Sequence, residues 1–371
     1  MVWTAPYGIE CARMRLSRSQ TREPSVNEII RIGMDTSKHI FQLHGVDAQE
    51  QPVLRKRLSR SAMLAFFGNL APTIVVIEAC GASHYWAREL AKLGHQVKLI
   101  APQLVKPYVT RNKNDGRDAE GLCEAGSRPR MRFVPVKTVE QQAGLMLLGV
   151  REQLIVRRTQ LSNMIRSHAA EFGLIAAKGI DKLASLLAAV AQDASLPDLV
   201  RDLFSLLERQ YEQLQVELKT IEIKLRALHR ADAMSRRLAE VPGIGPVTAA
   251  ALVMKAPDPH AFRSGRLFAA WLGLTPKDHS TGGKLRLGKI TRAGDETLRS
   301  LLVTGATSVV KLAKGPKGRG SQWLIALLKR KTPKQAAVAL ANKMARIAWK
   351  LMTTGENYDN ARLNAAASQV A

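Results

Sequence analysis

The sequence predicts an α/β domain followed by an all-α region. Two observations carry this: short β-branched runs confined to about the first 140 residues, and long helical periods after them. The chain has 371 residues, 46% of them hydrophobic, enough for more than one core. Lys plus Arg number 56 against 31 Asp plus Glu, a net charge of +25 at pH 7. A folded chain this basic meets a polyanion. Nucleic acid is expected over membrane, because the longest apolar stretches, around 72–80 and 335–352, are too short or too broken by charge to span a bilayer. The N-terminus lacks the pattern of a secretory leader, so the cytoplasm is the expected compartment. Cys11, Cys80 and Cys123 are odd in number and have no CxxC pairing, which reads as reduced thiols without a disulfide or zinc framework.

Taken in order, residues 1–27 read as a flexible extension. From 28 the runs IIRIGMD, HIFQLHGVD and QPVLRKRL predict three strands in meander order. TIVVIEA is an unbroken β-branched run, as in a strand buried on both faces. SHYWARELAKLG has helical spacing and stops at Gly94, and HQVKLIAP returns to a strand. Residues 28–140 thus form the α/β domain, and 141–235 form a helical coiled-coil region. Its seam runs Val200, Phe204, Leu207, Tyr211, Leu214, Leu218, Ile221, Leu225 and Leu228, steps of four and three without a break. That seam fits either an intramolecular pair with the 141–172 helix or self-association of protomers, and spacing alone does not choose. Residues 236–355 form a third, mostly helical domain, and 356–371 a flexible tail. Between Lys277 and Lys334 stand 14 Lys or Arg against 3 acids.

Acids are scarce here, which makes four of them conspicuous. Asp35 ends IIRIGMD, Glu78 ends TIVVIEA, and Asp115 and Asp118 sit three apart where KNDGRDAE begins a helix. Carboxylates at strand ends face a crevice, and two acids three apart share a helix face. Such a cluster is tolerable mainly when divalent cations neutralise it, and two Mg²⁺ ions about 3.5–4 Å apart are suited to displacement at phosphorus. Taken singly, each acid is more simply a turn starter or helix cap.

Two further segments can meet phosphate. In VPGIGP, Gly243 and Gly245 allow a helix-hairpin-helix turn that offers backbone N–H groups to a nucleic-acid backbone. In LGLTPKDHSTGGKLRLGKITRAGD, Ser280 precedes paired glycines, and Lys284, Arg286, Lys289 and Arg292 follow as candidate nucleic-acid contacts. A hydroxyl among these cations could attack a phosphate, or the loop could bind phosphate passively. No GxSxG elbow and no GxxxxGK[ST] loop occur, and His39, His44 and His84 lack metal-binding spacing.

Asp35 in GMDTSK, Glu78 in IEACGASHYW, KNDxxDA at Asp115 and Asp118, the PGIGP turn, WLGLTPKDHSTGGKxRLGxITRxGD and VALANKMARIAW together resemble the DEDD transposases of insertion sequences. The likeness spans residues 28–355 and keeps the motif order. It implies a RuvC-like RNase H fold for the first domain, with Asp35, Glu78, Asp115 and Asp118 as Mg²⁺ ligands. It implies a C-terminal serine transposase domain whose nucleophile, which by position maps to Ser280, forms a 5′-phosphoserine link to DNA. A tetramer and a bridge RNA that pairs with target and donor DNA are implied as partners. The expected function is therefore a site-specific recombinase of a mobile element. A water-using RuvC-type junction nuclease and a non-catalytic nucleic-acid scaffold are the competing expectations.

Overall fold

The computed structural model describes residues 29–109, 115–256, 258–315 and 320–359, with backbone only at Asp115 and Ile180. The expected extension over 1–27 and the tail beyond 359 lie outside the described residues. The chain divides at Val136/Lys137 into two compact units.

The first unit is built on six strands: β1 (Arg31–Asp35), β2 (Ile40–Val46), β3 (Pro52–Ser59), β4 (Ile74–Glu78), β5 (Gln96–Ile100) and β6 (Phe133–Val134), with α1 (Met63–Gly68), α2 (Ser83–Lys92), α3 (Pro102–Val105) and α4 (Asp115–Ser127) between them. The sheet order is β3-β2-β1-β4-β5-β6. The first three strands pair antiparallel as a meander, β1, β4 and β5 pair in parallel, and β6 closes the edge antiparallel. The apolar run of β4 is buried on both faces because helices cover both. On one face Ile32, Met34, Val75, Ile77 and Leu99 pack with Met63 and Phe67 of α1 and Trp86 and Leu90 of α2. On the other, Val76 and Ile100 pack with Leu122 and Ala125 of α4.

α4 lies unusually close to β1. A Cβ built on Gly33 would stand 2.0 Å from the Ala119 carbonyl oxygen and 2.6 Å from the Cys123 nitrogen, so only glycine fits there. Arg31, 6% exposed, donates from Nε to the Cys123 carbonyl (2.9 Å) and pairs with Glu50, fixing the same helix from the neighbouring turn. Burial pushes the Cys123 thiol up, with Arg31 opposing, so it packs as a neutral group.

The second unit comprises α5 (Val139–Glu171), α6 (Leu183–Gln192), α7 (Asp198–Ala231), α8 (Ala233–Leu238), α9 (Pro246–Lys255), α10 (Gly265–Trp271), the strands β7 (Pro276–Asp278) and β8 (Leu287–Ile290), α11 (Glu296–Lys314), α12 (Gln322–Arg330) and α13 (Pro333–Thr354). α5 opens on a Thr138/Gln141 capping box and α13 on a Thr332/Gln335 one. The heptad seam of α7 is occupied within the chain: Phe204, Tyr211, Leu218 and Leu225, seven apart, are its buried residues. Leu161 and Ile165 of α5 pack with Phe204 and Tyr211, whereas Leu148 shares the other core with Leu225, so the two helices run antiparallel. The boundary expected near 235 falls inside this unit, because Leu148 and Leu225 belong to the core that α9, α11 and α13 build.

The expectation that strands end near residue 140 is corrected by β7 and β8. They form an antiparallel hairpin, with Pro276 opposite Ile290 and Asp278 opposite Leu287. Residues 276–289 are all exposed, so no apolar alternation marks them in the sequence.

Candidate functional site

The register of the sheet places the first two acids. Met34 pairs with Ile77 across β1 and β4, so the next residues, Asp35 and Glu78, close two neighbouring parallel strands at the same level. Strands in a sheet lie about 4.8 Å apart, and alternation sends both side chains to one face. Ile32, Met34, Val75 and Ile77 take the α1/α2 face, so Asp35 shares the α4 face with Gly33, and Glu78 shares it with Val76. Beyond the strand ends, the Thr36 hydroxyl and the Cys80 thiol meet at 3.0 Å and tie the two following loops together.

Helix α4 brings the third. Cys123 lies beside Arg31 and Ala119 beside Gly33, so α4 runs antiparallel to β1 and its first turn extends toward the Asp35 end. Asp118 is one and two turns before Leu122 and Ala125, whose side chains pack on Val76 and Ile100. It is therefore on the β4 side of the helix, on the flank that leads to Glu78. Asp35, Glu78 and Asp118 are all partly buried. Asp115 begins the same helix, and its side chain lies outside the described residues. Among the described residues no three His, Cys, Asp or Glu side chains stand close enough to share a metal ion. Register sets Asp35 and Glu78 side by side, and Asp118 stands on the β4 side of α4 without joining them in one cluster. This donor set is all oxygen, which suits a hard divalent cation. Of the three histidines, His44 and His84 are buried and His39 is exposed.

Ser280 sits near the tip of the β7–β8 hairpin. Thr281 and Lys284 form a bridge around Gly282 (φ +56°) and Gly283 (φ +74°), a two-residue turn that needs positive φ at both central positions. The sequence signal for this hairpin was the Gly-Gly pair itself. Ser280 is held from three sides: its N–H donates to Asp278 Oδ1 (2.9 Å), its hydroxyl donates to the same carboxylate, and its Oγ accepts from the Arg286 N–H (3.0 Å). These hydrogen bonds, first of all the hydroxyl's, hold the Asp278 carboxyl below the usual carboxylate range. Asp278 is thus part of the serine site, and sequence reading missed it.

The base of the hairpin is tightly seated. A Cβ on Gly294 would lie 1.6 Å from the Trp271 carbonyl oxygen, and Gly273, at φ +71°, accepts the Arg292 N–H (3.1 Å). Asp295 caps α11 through the Leu298 N–H (2.8 Å) and pairs with Lys255 (2.8 Å). Lys284, Arg286, Lys289 and Arg292 are all exposed on this hairpin or directly after it.

The structure gives the PGIGP turn a packing role as well. A Cβ on Gly305 of α11 would lie 1.9 Å from the Gly243 carbonyl oxygen, and one on Gly243 (φ +92°) would meet Met344 at 3.0 Å. Gly243 is therefore turned toward α11 and α13, and only Gly245, the N-cap of α9, borders open space.

Comparison with known proteins decides the family. A family profile described as "Transposase IS116/IS110/IS902 family" matches residues 235–320, and a second, described as "Transposase", matches 32–173. A Sinorhizobium fredii protein named as a transposase is 62% identical over 93% of this chain and 90% of its own length. The chain belongs to the IS116/IS110/IS902 transposase family. Transposases for the insertion-sequence elements IS1328 of Yersinia enterocolitica and IS1111A of Coxiella burnetii are 40% and 36% identical, over 87% and 95% of this chain and 97% of each relative. The enzyme is thus an insertion-sequence transposase that binds DNA, and its first unit is a mixed α/β domain of the DEDD type. None of its described helices is long and apolar enough to cross a membrane.

Proposed function

We propose that the transposase cleaves and rejoins DNA with Ser280 as nucleophile, assisted by Asp35, Glu78, Asp115 and Asp118 on a RuvC-like RNase H fold. The observation that carries this reading is the shared level and face of Asp35 and Glu78 at the ends of adjacent parallel strands, with α4 directing its first turn toward them. Strand order β3-β2-β1-β4-β5 supports the RNase H assignment. Held by these carboxylates, a divalent ion such as Mg²⁺, and two by analogy with paired-metal sites, would supply charge neutralisation and polarisation of the scissile phosphate. Asp278 orients the Ser280 hydroxyl and draws on its proton, leaving Oγ to form a bond to phosphorus as the 3′ oxygen departs and takes up a proton. One phosphate ester replaces another, so resealing needs no nucleotide. The bridge RNA and the tetramer belong to this proposal, supported by the charge of +25 and by the exposed Leu199, Leu203, Val216 and Ile223 of α7.

The test is covalent trapping. Wild-type protein with element-end DNA should give an adduct that survives denaturation, and any RNA that co-purifies should be sequenced. Ser280→Ala and Asp118→Ala should each abolish the adduct. Cleavage that persists in Ser280→Ala would assign water as nucleophile instead. Asp278→Ala should slow adduct formation by about 100-fold without abolishing it, as measured by single-turnover kinetics, because the hydroxyl loses its proton acceptor but not its attacking atom.

A further inference from the structure

We propose that a groove in the second unit, formed by α10, α13 and the base of the β7–β8 hairpin, seats the phosphodiester backbone of duplex DNA. It has a volume of about 1940 Å³ and is bordered by Arg266 of α10, Lys289 and Arg292 of the hairpin, and Lys343, Arg346 and Lys350 of α13. No Asp or Glu borders it. Lys350 pairs with Glu356 (3.0 Å), whereas Arg266, Lys289, Lys343 and Arg346 have no ion-pair partner among the described residues. Uncompensated cations that converge on a concave wall focus positive potential there, and such a wall recruits a polyanion.

The groove is built, not incidental. Gly265 lets α10 approach α13, since a Cβ there would lie 3.1 Å from the Arg346 carbonyl oxygen. Lys343 Nζ lies 4.5 Å from the centre of the Trp323 ring, which braces its ammonium toward the groove. Burial and the neighbouring Arg346 both hold that ammonium below its ordinary pKa, a cost that an arriving phosphate removes. The hairpin that lines the groove with Leu287, Gly288 and Lys289 is the one that carries Ser280 near its tip. Duplex DNA is the occupant because the cations come from three separate elements around one open groove that no acid borders, an arrangement that meets a polyanion backbone at several phosphates. The site goes beyond the serine chemistry and does not depend on it.

The experiment uses the full-length Ser280→Ala protein, so binding is read without chemistry, and a 30-base-pair duplex of arbitrary sequence as probe. Each phosphate contact contributes about 0.9 to the slope of log affinity against log salt. The triple substitution Arg266→Gln, Lys289→Gln, Arg346→Gln should lower that slope by about 2–3 and weaken binding at least tenfold at moderate salt. Removing equal charge from α7, with Arg209→Gln, Lys219→Gln and Lys224→Gln, should leave the slope unchanged. Both triple variants replace exposed side chains, and unchanged melting confirms their folds. An unchanged slope in the groove variant, an equal fall in the α7 variant, or a loss confined to a single-stranded RNA probe would each overturn the proposal.

Discussion

Replacing Asp35 with asparagine is expected to slow strand cleavage by about a thousandfold or more while the transposase stays folded. Two physical roles are open to a carboxylate that ends a strand, and asparagine separates them. A turn starter or cap works through a short side chain that accepts hydrogen bonds, and asparagine does this as well as aspartate. A metal ligand works through charge, which asparagine lacks. Loss of several kcal/mol of charge stabilisation, at about 1.4 kcal/mol per tenfold, gives the expected factor. The register supplies a second readout. Asp35 and Glu78 stand at one level on adjacent strands and on one face, so without cations their charges oppose each other. Neutralising one should leave metal-free melting unchanged or higher, and Mg²⁺ should raise the melting temperature of the wild type but not of Asp35→Asn. Cleavage kinetics and melting with and without Mg²⁺ measure both. A variant that keeps more than a tenth of the wild-type rate would remove Asp35 from the chemistry.

The parts legible in the sequence are those whose burial is recorded locally. β4 could be read because helices on both faces force its continuous Val/Ile run, and α4 because acids mark its start. The serine hairpin could not be read as strands, since none of residues 276–289 is buried and the signal shrinks to two glycines. The α7 seam was visible as a heptad, but its partner is chosen by the antiparallel return of α5, which a one-dimensional pattern does not contain. The groove is further from view: Arg266 and Arg346 are 80 residues apart in the chain and border one groove where Gly265 lets α10 lie close to α13. Asp278 carries no sequence signal of its own, because its link to Ser280 is made by the backbone turn between them.

Gly33→Ala is the second large effect, and it acts on the acids without touching one. The added methyl would be placed 2.0 Å from the Ala119 oxygen, 2.6 Å from the Cys123 nitrogen and 2.9 Å from the Cys123 Cβ. Two of the three are backbone atoms of a helix, which cannot rotate aside as a long side chain would. α4 must therefore back away by about an ångström to reach ordinary contact, and overpacking of this kind costs about 3 kcal/mol. The first unit should melt roughly 10 °C lower. The same retreat stretches the 2.9 Å Arg31–Cys123 bond that fixes the helix and withdraws Asp118 from the strand ends. A misplacement near 1 Å in a positioned site costs about 100-fold in rate, so cleavage should fall by that factor even at temperatures where the variant is fully folded. Gly68→Ala is the control: no atom stands within 4 Å of the new methyl, and that residue is the last of α1, where alanine should be neutral or slightly stabilising. If Gly33→Ala melted and cleaved like the wild type, α4 would not be seated on β1, and the route by which its acids reach Asp35 and Glu78 would be lost with it.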